Sequence, residues 1–186
     1  HVVLRDVSFQ VTAGQIIGIV GENGSGKSTL LRNLVGWLTP TSGEIMMSGR
    51  FGYCPQEELI FEALTVNENF QYFSAAYGLD DRWKDVKAEL LQWLRFSEHE
   101  YARVSTLSGG TKQKLNLALA LLHSPDILLL DEPYSGFDWD TYLRFWEYAN
   151  KLRAEGKSIV LVTHFAYDRS SFDALLELKG GTIECV

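Results

Sequence analysis

Gly21-Glu22-Asn23-Gly24-Ser25-Gly26-Lys27-Ser28-Thr29 decides the reading of this 186-residue chain. The stretch fits the phosphate-binding pattern G-x-x-x-x-G-K-[ST], and its flanks supply the context that the pattern needs. Ahead of it, Gln15-Ile16-Ile17-Gly18-Ile19-Val20 reads as a buried strand. Behind it, Leu30, Leu31, Leu34, Val35 and Leu38 recur at helical spacing until Thr39-Pro40 stops them. Gly21, Gly24 and Gly26 admit backbone dihedrals closed to other residues, so successive N–H groups and the helix N-terminus behind them converge on phosphate oxygens. Lys27 is placed to reach the β- and γ-phosphates of a nucleotide, and the Ser28 hydroxyl to bind Mg²⁺.

Composition bounds the class. With 46% hydrophobic residues the chain can bury a core as a single globular unit. A net charge of −7, with 17 lysines and arginines, argues against a broad nucleic-acid surface, which needs clustered cations. Cys54 and Cys185 lack any metal-ligand spacing and suit a reducing compartment. No secretory signal opens the sequence, and no apolar run reaches the roughly 18 residues of a membrane span. If membranes matter, they matter through a partner.

Along the chain, Val2-Val3-Leu4 and Val7-Ser8-Phe9-Gln10-Val11 alternate like strands and predict an antiparallel prelude. Short strands are expected over Glu44-Ile45-Met46-Met47 and Phe51-Gly52-Tyr53-Cys54. From Glu57 the character turns helical, with Val66 to Tyr77 and Lys84 to Phe96 carrying apolar stripes at three- and four-residue spacing. A further helix starts after Ser108 and runs through Leu122 to the stop at His123-Ser124-Pro125. The apolar runs Ile127 to Leu130 and Ser158 to Thr163 suit strands of a parallel sheet, with a helix from Thr141 to Ala154 between them. The close, Leu175 to Glu184 with Gly180-Gly181 at its middle, reads as a hairpin. The fold class is therefore α/β, with a doubly wound, mostly parallel core, an antiparallel β part and an inserted helical segment. The expected division is a core of residues 1–56 and 125–186 with a helical subdomain over 57–124, all in one domain.

Asp131 closes its strand at the sheet end where open α/β folds hold ligands, and Glu132 follows at once. An acid there holds Mg²⁺, and its neighbour orients or deprotonates an attacking water. Leu107-Ser108-Gly109-Gly110-Thr111-Lys112-Gln113 is a capped helix start whose hydroxyl and glycine amides offer a second anion surface.

Taken together, the glycine loop, Leu107-Ser108-Gly109-Gly110, Leu129-Leu130-Asp131-Glu132-Pro133 and Thr163-His164 stand in the order and spacing of the ATP-binding-cassette (ABC) ATPases, which this chain resembles over essentially its whole length. The resemblance implies a RecA-like P-loop NTPase core and hydrolysis of ATP with Mg²⁺. It places Gln56 at the family's Q-loop glutamine, a contact to Mg²⁺ or water. It also places His164 at the switch histidine on the γ-phosphate, and Ser135-Gly136-Phe137-Asp138 at the D-loop that crosses between subunits. It further implies a second ABC ATPase subunit as partner, with Ser108, Gly109 and Gly110 of one chain closing over ATP held by Gly21, Glu22, Asn23, Gly24, Ser25, Gly26, Lys27, Ser28 and Thr29 of the other. Glu132, His164, Gln56 and Lys27 are then the catalytic set, and Ser28, Gln56 and Asp131 the metal set.

Three features depart from the family pattern. Thr111 replaces the usual signature glutamine, the stretch from Gly49 to Gln56 is short, and the sequence opens too near the glycine loop to include the family's adenine-stacking aromatic, so either the chain is trimmed there or another group such as Phe9 serves instead. Leu64 to Phe70, Tyr72-Phe73 and Tyr77-Gly78-Leu79 resemble the helical part of ATPases paired with ABC-2-type export permeases, which implies an integral membrane permease partner and a cytoplasmic, membrane-peripheral location. The rival reading is a soluble ABC ATPase acting on nucleic acid or ribosomes, but residues 57–107 are too short for the long coiled coil of chromosome-type relatives. A regulatory binder that hardly hydrolyses fits poorly with Glu132 and His164.

Overall fold

The computed structural model describes residues 2–164 and 169–186. Its centre is a six-stranded sheet in the order β2-β3-β4-β1-β5-β6, built from β1 (Ile16–Val20), β2 (Phe51–Cys54), β3 (Ile127–Asp131), β4 (Ser158–Val162), β5 (Ala174–Lys179) and β6 (Thr182–Cys185). All neighbours run parallel except β5 and β6, which form the expected hairpin. The sheet is covered on both faces, which is why its inner strands read as unbroken apolar runs rather than alternating ones. One face packs Ile19, Leu129, Val160 and Val162 against Leu30 and Leu31 of α1 (Lys27–Leu34). The other packs Ile16, Leu128, Leu130, Ile159 and Leu161 against α4 (Gly109–Leu121) and α5 (Trp139–Ala154). The second cluster continues without a break into α2 (Val66–Ala76) and α3 (Trp83–Trp93), through Val66, Phe70, Leu90 and Leu91.

Helix ends follow local chemistry that apolar spacing does not register. The expected continuation of α1 to Leu38 does not occur: Gly36 takes φ 78°, and the Trp37 and Leu38 amides both turn back to the Arg32 carbonyl, at 2.9 and 3.1 Å. Arg95, at φ 54°, likewise ends α3 short of Phe96. In α2, Thr65 and Glu68 form a reciprocal capping box, with Glu68 N–H donating to the Thr65 hydroxyl at 3.1 Å and Thr65 N–H to the Glu68 carboxylate at 2.7 Å.

Three expected strands are absent among the described residues, the two of the prelude and the one over Glu44–Met47. The antiparallel prelude at Val2–Val11 forms no ladder, because Asp6 at φ 50° breaks the extended run between its halves, and only Arg5 N–H reaches the hairpin, bonding Gly181 O at 2.7 Å. Its apolar side chains Leu4, Val7, Phe9 and Val11 still pack on the α1-side core, so the alternation reports burial without pairing. Glu44–Met47 is also irregular; it lies between Gly43 and Gly49, both at positive φ, and leaves Met46 86% exposed. No described helix is long and apolar enough to cross a membrane.

Candidate functional site

Strand register brings the candidate residues to one end of the sheet. Cys54 pairs with Leu130, Leu130 with Leu161, and Leu161 with Gly18, so β2, β3, β4 and β1 advance in step. The residues just beyond that row are Gln56, Asp131 with Glu132, Thr163 with His164, and the loop from Gly21. Strands of parallel sheets end at a common edge, and there ligands meet loop backbones and helix N-termini.

The loop between β1 and α1 is wound so that its glycines are required. Gly21, Gly24 and Gly26 stand at φ 157°, 79° and 107°, and a Cβ on Gly21 would collide with the Leu178 carbonyl oxygen. Ser25 N–H donates to Glu22 O at 3.1 Å, while the Ser25 hydroxyl is buried without a hydrogen-bond partner. Lys27 is 6% exposed and folds its ammonium over the loop, donating to Gly21 O at 2.7 Å and Glu22 O at 2.9 Å. Burial lowers its pKa, opposed by the charges of Glu132 and Asp131.

Ser28, one residue into α1, hydrogen-bonds the Asp131 carboxyl. Asp131 is 3% exposed, and burial raises its pKa against the opposing pull of Ser28 and Lys27. Glu132 sits at φ 51°, an uncommon conformation for a non-glycine residue, held by its N–H donating to Val162 O at 3.0 Å. Its Oε1 is buried without a hydrogen bond, 3.4 Å from His164 Nε2. Burial also raises the Glu132 pKa; the charge and backbone N–H of His164 oppose this, and the like charge of Asp131 adds to it. A half-buried, half-satisfied carboxyl whose proton affinity has been raised is suited to take a proton from water.

A hard cation fits this chemistry. Among the described residues there is no cluster of three or more His, Cys, Asp or Glu side chains able to cage a metal. Mg²⁺ at nucleotide sites needs only one or two protein oxygens beside phosphate oxygens, and the Ser28–Asp131 pair supplies them.

Gln56 is exposed, just past Pro55 at the end of β2. Ser108 caps α4, its hydroxyl accepting from Thr111 N–H at 3.2 Å and lying 2.9 Å from the Thr111 hydroxyl. Thr111 thus meets the Ser108 cap through both its backbone N–H and its hydroxyl. Gly109 and Gly110 form the first turn of α4; Gly109 is exposed, whereas a Cβ on Gly110 would stand 2.5 Å from Gly136 O. Gly110→Ala is expected to cost about 1–3 kcal/mol by forcing these backbones apart, read as a shift in the urea midpoint at unchanged slope. Asp138 is spent locally: it caps α5, accepting from Thr141 N–H at 2.8 Å and from the Thr141 hydroxyl at 3.0 Å, which moves the helix start from the expected Thr141 to Trp139.

Gln113 and Asn116 escaped the sequence reading. Both are buried, on a helix enclosed from Gln113 to Leu121, and both bond the backbone of the sheet-end loops. For Asn116 the signal was an amide between Leu115 and Leu117 in an apolar run; Gln113, flanked by Lys112 and Lys114, gave none.

Strand, glycine loop and helix, with acids at the next strand ends, define a P-loop nucleoside-triphosphatase fold. The chain belongs to the ABC transporter family, whose model matches residues 4–135. It is 36% identical to the Nod factor export ATP-binding protein I of Rhizobium etli, over 96% of this chain and 61% of that protein. Among solved structures it resembles the ATP-binding subunit of an ABC transporter (TM-score 0.92, 29% identity, 99% of this chain and 84% of that one). It also resembles a dimeric ABC cassette in a post-hydrolysis state with ADP and Pi (TM-score 0.88, 26% identity, 98% and 88%). The chain spans 27% to 64% of the length of curated relatives it matches.

Proposed function

We propose that this chain is the ATP-hydrolysing subunit of an exporter, closing as a dimer on ATP and driving substrate through a separate membrane permease. One observation carries the reading: a half-buried, strained Glu132 beside His164 stands at the same sheet edge as an amide-lined loop, its lysine and a Ser28–Asp131 pair. A binder needs the loop; only a hydrolase has use for the carboxyl.

In this reading the loop from Gly21 to Thr29 grips the phosphates through backbone amides, and Lys27 leaves its loop carbonyls for the β- and γ-phosphates. Ser28 and Asp131, with Gln56, would hold Mg²⁺, and the ion would supply positive charge against the phosphate oxygens. Glu132 takes the proton of the attacking water, and His164 steadies that carboxyl and meets the γ-phosphate. Ser108, Gly109 and Gly110 close the partner's site, with Asp138 fixing the loop that crosses between subunits.

The permease surface is assigned to the outer face of the helical subdomain over 57–124. Phe70, part of the aromatic stripe, is fully buried core, but Phe61, Tyr72 and Tyr77 are 42%, 52% and 42% exposed. With Phe73 they form a chain of ring contacts, Phe61 to Tyr72 at 4.5 Å and Phe73 to Tyr77 at 6.0 Å. Exposed contiguous aromatics of this kind mark a partner surface. The working location is the cytoplasmic face of the membrane, and the relatives' export role supports the direction.

Mixing two inactive chains tests the dimer. Lys27→Ala disables a chain's own phosphate grip, while Ser108→Asp keeps a good helix cap but sets a carboxylate against the partner's γ-phosphate. If the sites are shared head to tail, a mixed dimer holds one site with both defects and one with none. Turnover of the equimolar mixture should recover to roughly a quarter of the parent's, since half the dimers are mixed and each keeps one of two sites. A mixture as inactive as its components excludes shared sites.

A further inference from the structure

We infer that Gln113 and Asn116 are positioning residues that tie the signature helix to the hydrolytic carboxyl and to the Gln56 loop of the same chain; the inference rests on the ATPase reading above. They stand one turn apart on α4 and are 4% and 3% exposed. The Gln113 amide donates to two successive carbonyls, Glu132 O at 3.4 Å and Pro133 O at 3.3 Å. The Asn116 amide donates to Pro55 O at 2.9 Å and Cys54 Sγ at 3.3 Å, while its Oδ1 accepts from Leu59 N–H at 3.2 Å. One side chain therefore spans the base of the loop that carries Gln56, and the other holds the turn that carries Glu132.

The placement matters because the backbone of Glu132 aims its carboxyl. It leaves β3 at φ 51°, and its Oε1 has no hydrogen bond. Besides the His164 N–H at its carboxyl, the side chain is aimed by its backbone, whose N–H is held by Val162 O and whose carbonyl is held by the Ser135 N–H at 3.1 Å and, from α4, by the Gln113 amide at 3.4 Å. The first turn of the same helix holds Gly110, whose Cα lies under the Gly136 carbonyl, too close for a side chain. A shift of α4, whether imposed at Ser108 by a partner's nucleotide or at the 55–59 loop by a membrane partner, is thereby carried to Glu132 as a backbone displacement. The connection is a chain of packed and hydrogen-bonded groups.

Gln113→Met keeps length and buried volume but removes the donor. Measured on the full chain, kcat for ATP should fall about tenfold, with KM for ATP and the affinity for a fluorescent ATP analogue within twofold of the parent. Leu115→Ala, which only hollows the core at a fully buried position of the same helix, is the comparison. It should lower the melting temperature more than Gln113→Met and kcat less. Gln113→Leu, with a different shape and no donor, is read the same way. The inference is overturned if kcat of Gln113→Met stays within twofold of the parent, if KM rises in proportion, if Leu115→Ala loses as much turnover, or if neither Gln113 variant folds, which would assign the amide to stability alone. A parent chain that does not hydrolyse ATP at all would instead defeat the ATPase reading, so the two failures are distinct.

Discussion

Lys27→Ala is expected to weaken ATP binding by about 10–100-fold while leaving the fold intact. The ammonium is nearly enclosed, and its two hydrogen bonds go to the carbonyls of Gly21 and Glu22, so it already sits inside the loop that would receive the phosphates. Exchanging those carbonyls for anionic oxygens makes charge-assisted bonds, each worth roughly 1.5–3 kcal/mol, and every 1.4 kcal/mol is about tenfold in affinity. Nothing else in the loop replaces the charge, because the other contacts are neutral amides and hydroxyls. Stability should change little, since the burial that lowers the lysine's pKa is a cost the alanine does not bear. Titration with a fluorescent ATP analogue checks the first part and thermal melting the second. An affinity within threefold of the parent would mean that phosphates are held elsewhere.

The parts of the fold legible in the sequence are those fixed by composition over a whole element. β1, β3 and β4 are covered on both faces and so carry continuous apolar runs that no exposed segment would tolerate. The glycine loop was legible because its dihedrals admit few residue types. What escaped was settled by single residues. Gly36 and Arg95 end helices through their backbone conformation, and Asp6 interrupts an extended run; none of the three changes the apolar periodicity. The site divided along the same line. Asp131, Glu132 and the loop declare themselves by type and position, whereas Gln56 and His164 needed a family resemblance, since a polar residue after a strand is ordinary. Asp138 shows how one residue can satisfy two readings: the cap of α5 explains it locally, and its place in the crossing loop requires a partner to test. The aromatic stripe also split: Phe70 enters the core and Tyr72, two residues on, lies on the opposite face of α2, while Tyr77 shares the Phe70 side but sits at the helix end, half-covered against His123.

Glu132→Gln is expected to abolish most turnover, by about 10²–10⁴-fold, while ATP is still bound and the dimer accumulates closed. The amide keeps the shape of the side chain and its distance from His164, but it cannot accept a proton. Since binding is assigned to the loop and closure to Ser108–Gly110, both should survive; gel filtration with ATP and Mg²⁺ should show a dimer that the parent, which turns over, does not retain. The raised pKa adds two signatures of defined sign. As general base, Glu132 must be ionised, so the parent's kcat should fall on acidification through a pKa above the ordinary glutamate value, and this limb should vanish from any residual activity of the variant. For stability, a carboxyl whose folded pKa lies above its unfolded one contributes fully below the unfolded value and loses that contribution as pH rises through the folded one. The ionised carboxylate therefore burdens the fold at neutral pH, and the glutamine relieves it: the variant should melt higher than the parent at pH 7, with the difference shrinking as the parent's own Glu132 becomes protonated. A variant that turns over at the parental rate removes Glu132 as the base. One that melts at the same temperature as the parent at every pH contradicts the raised proton affinity on which that role depends.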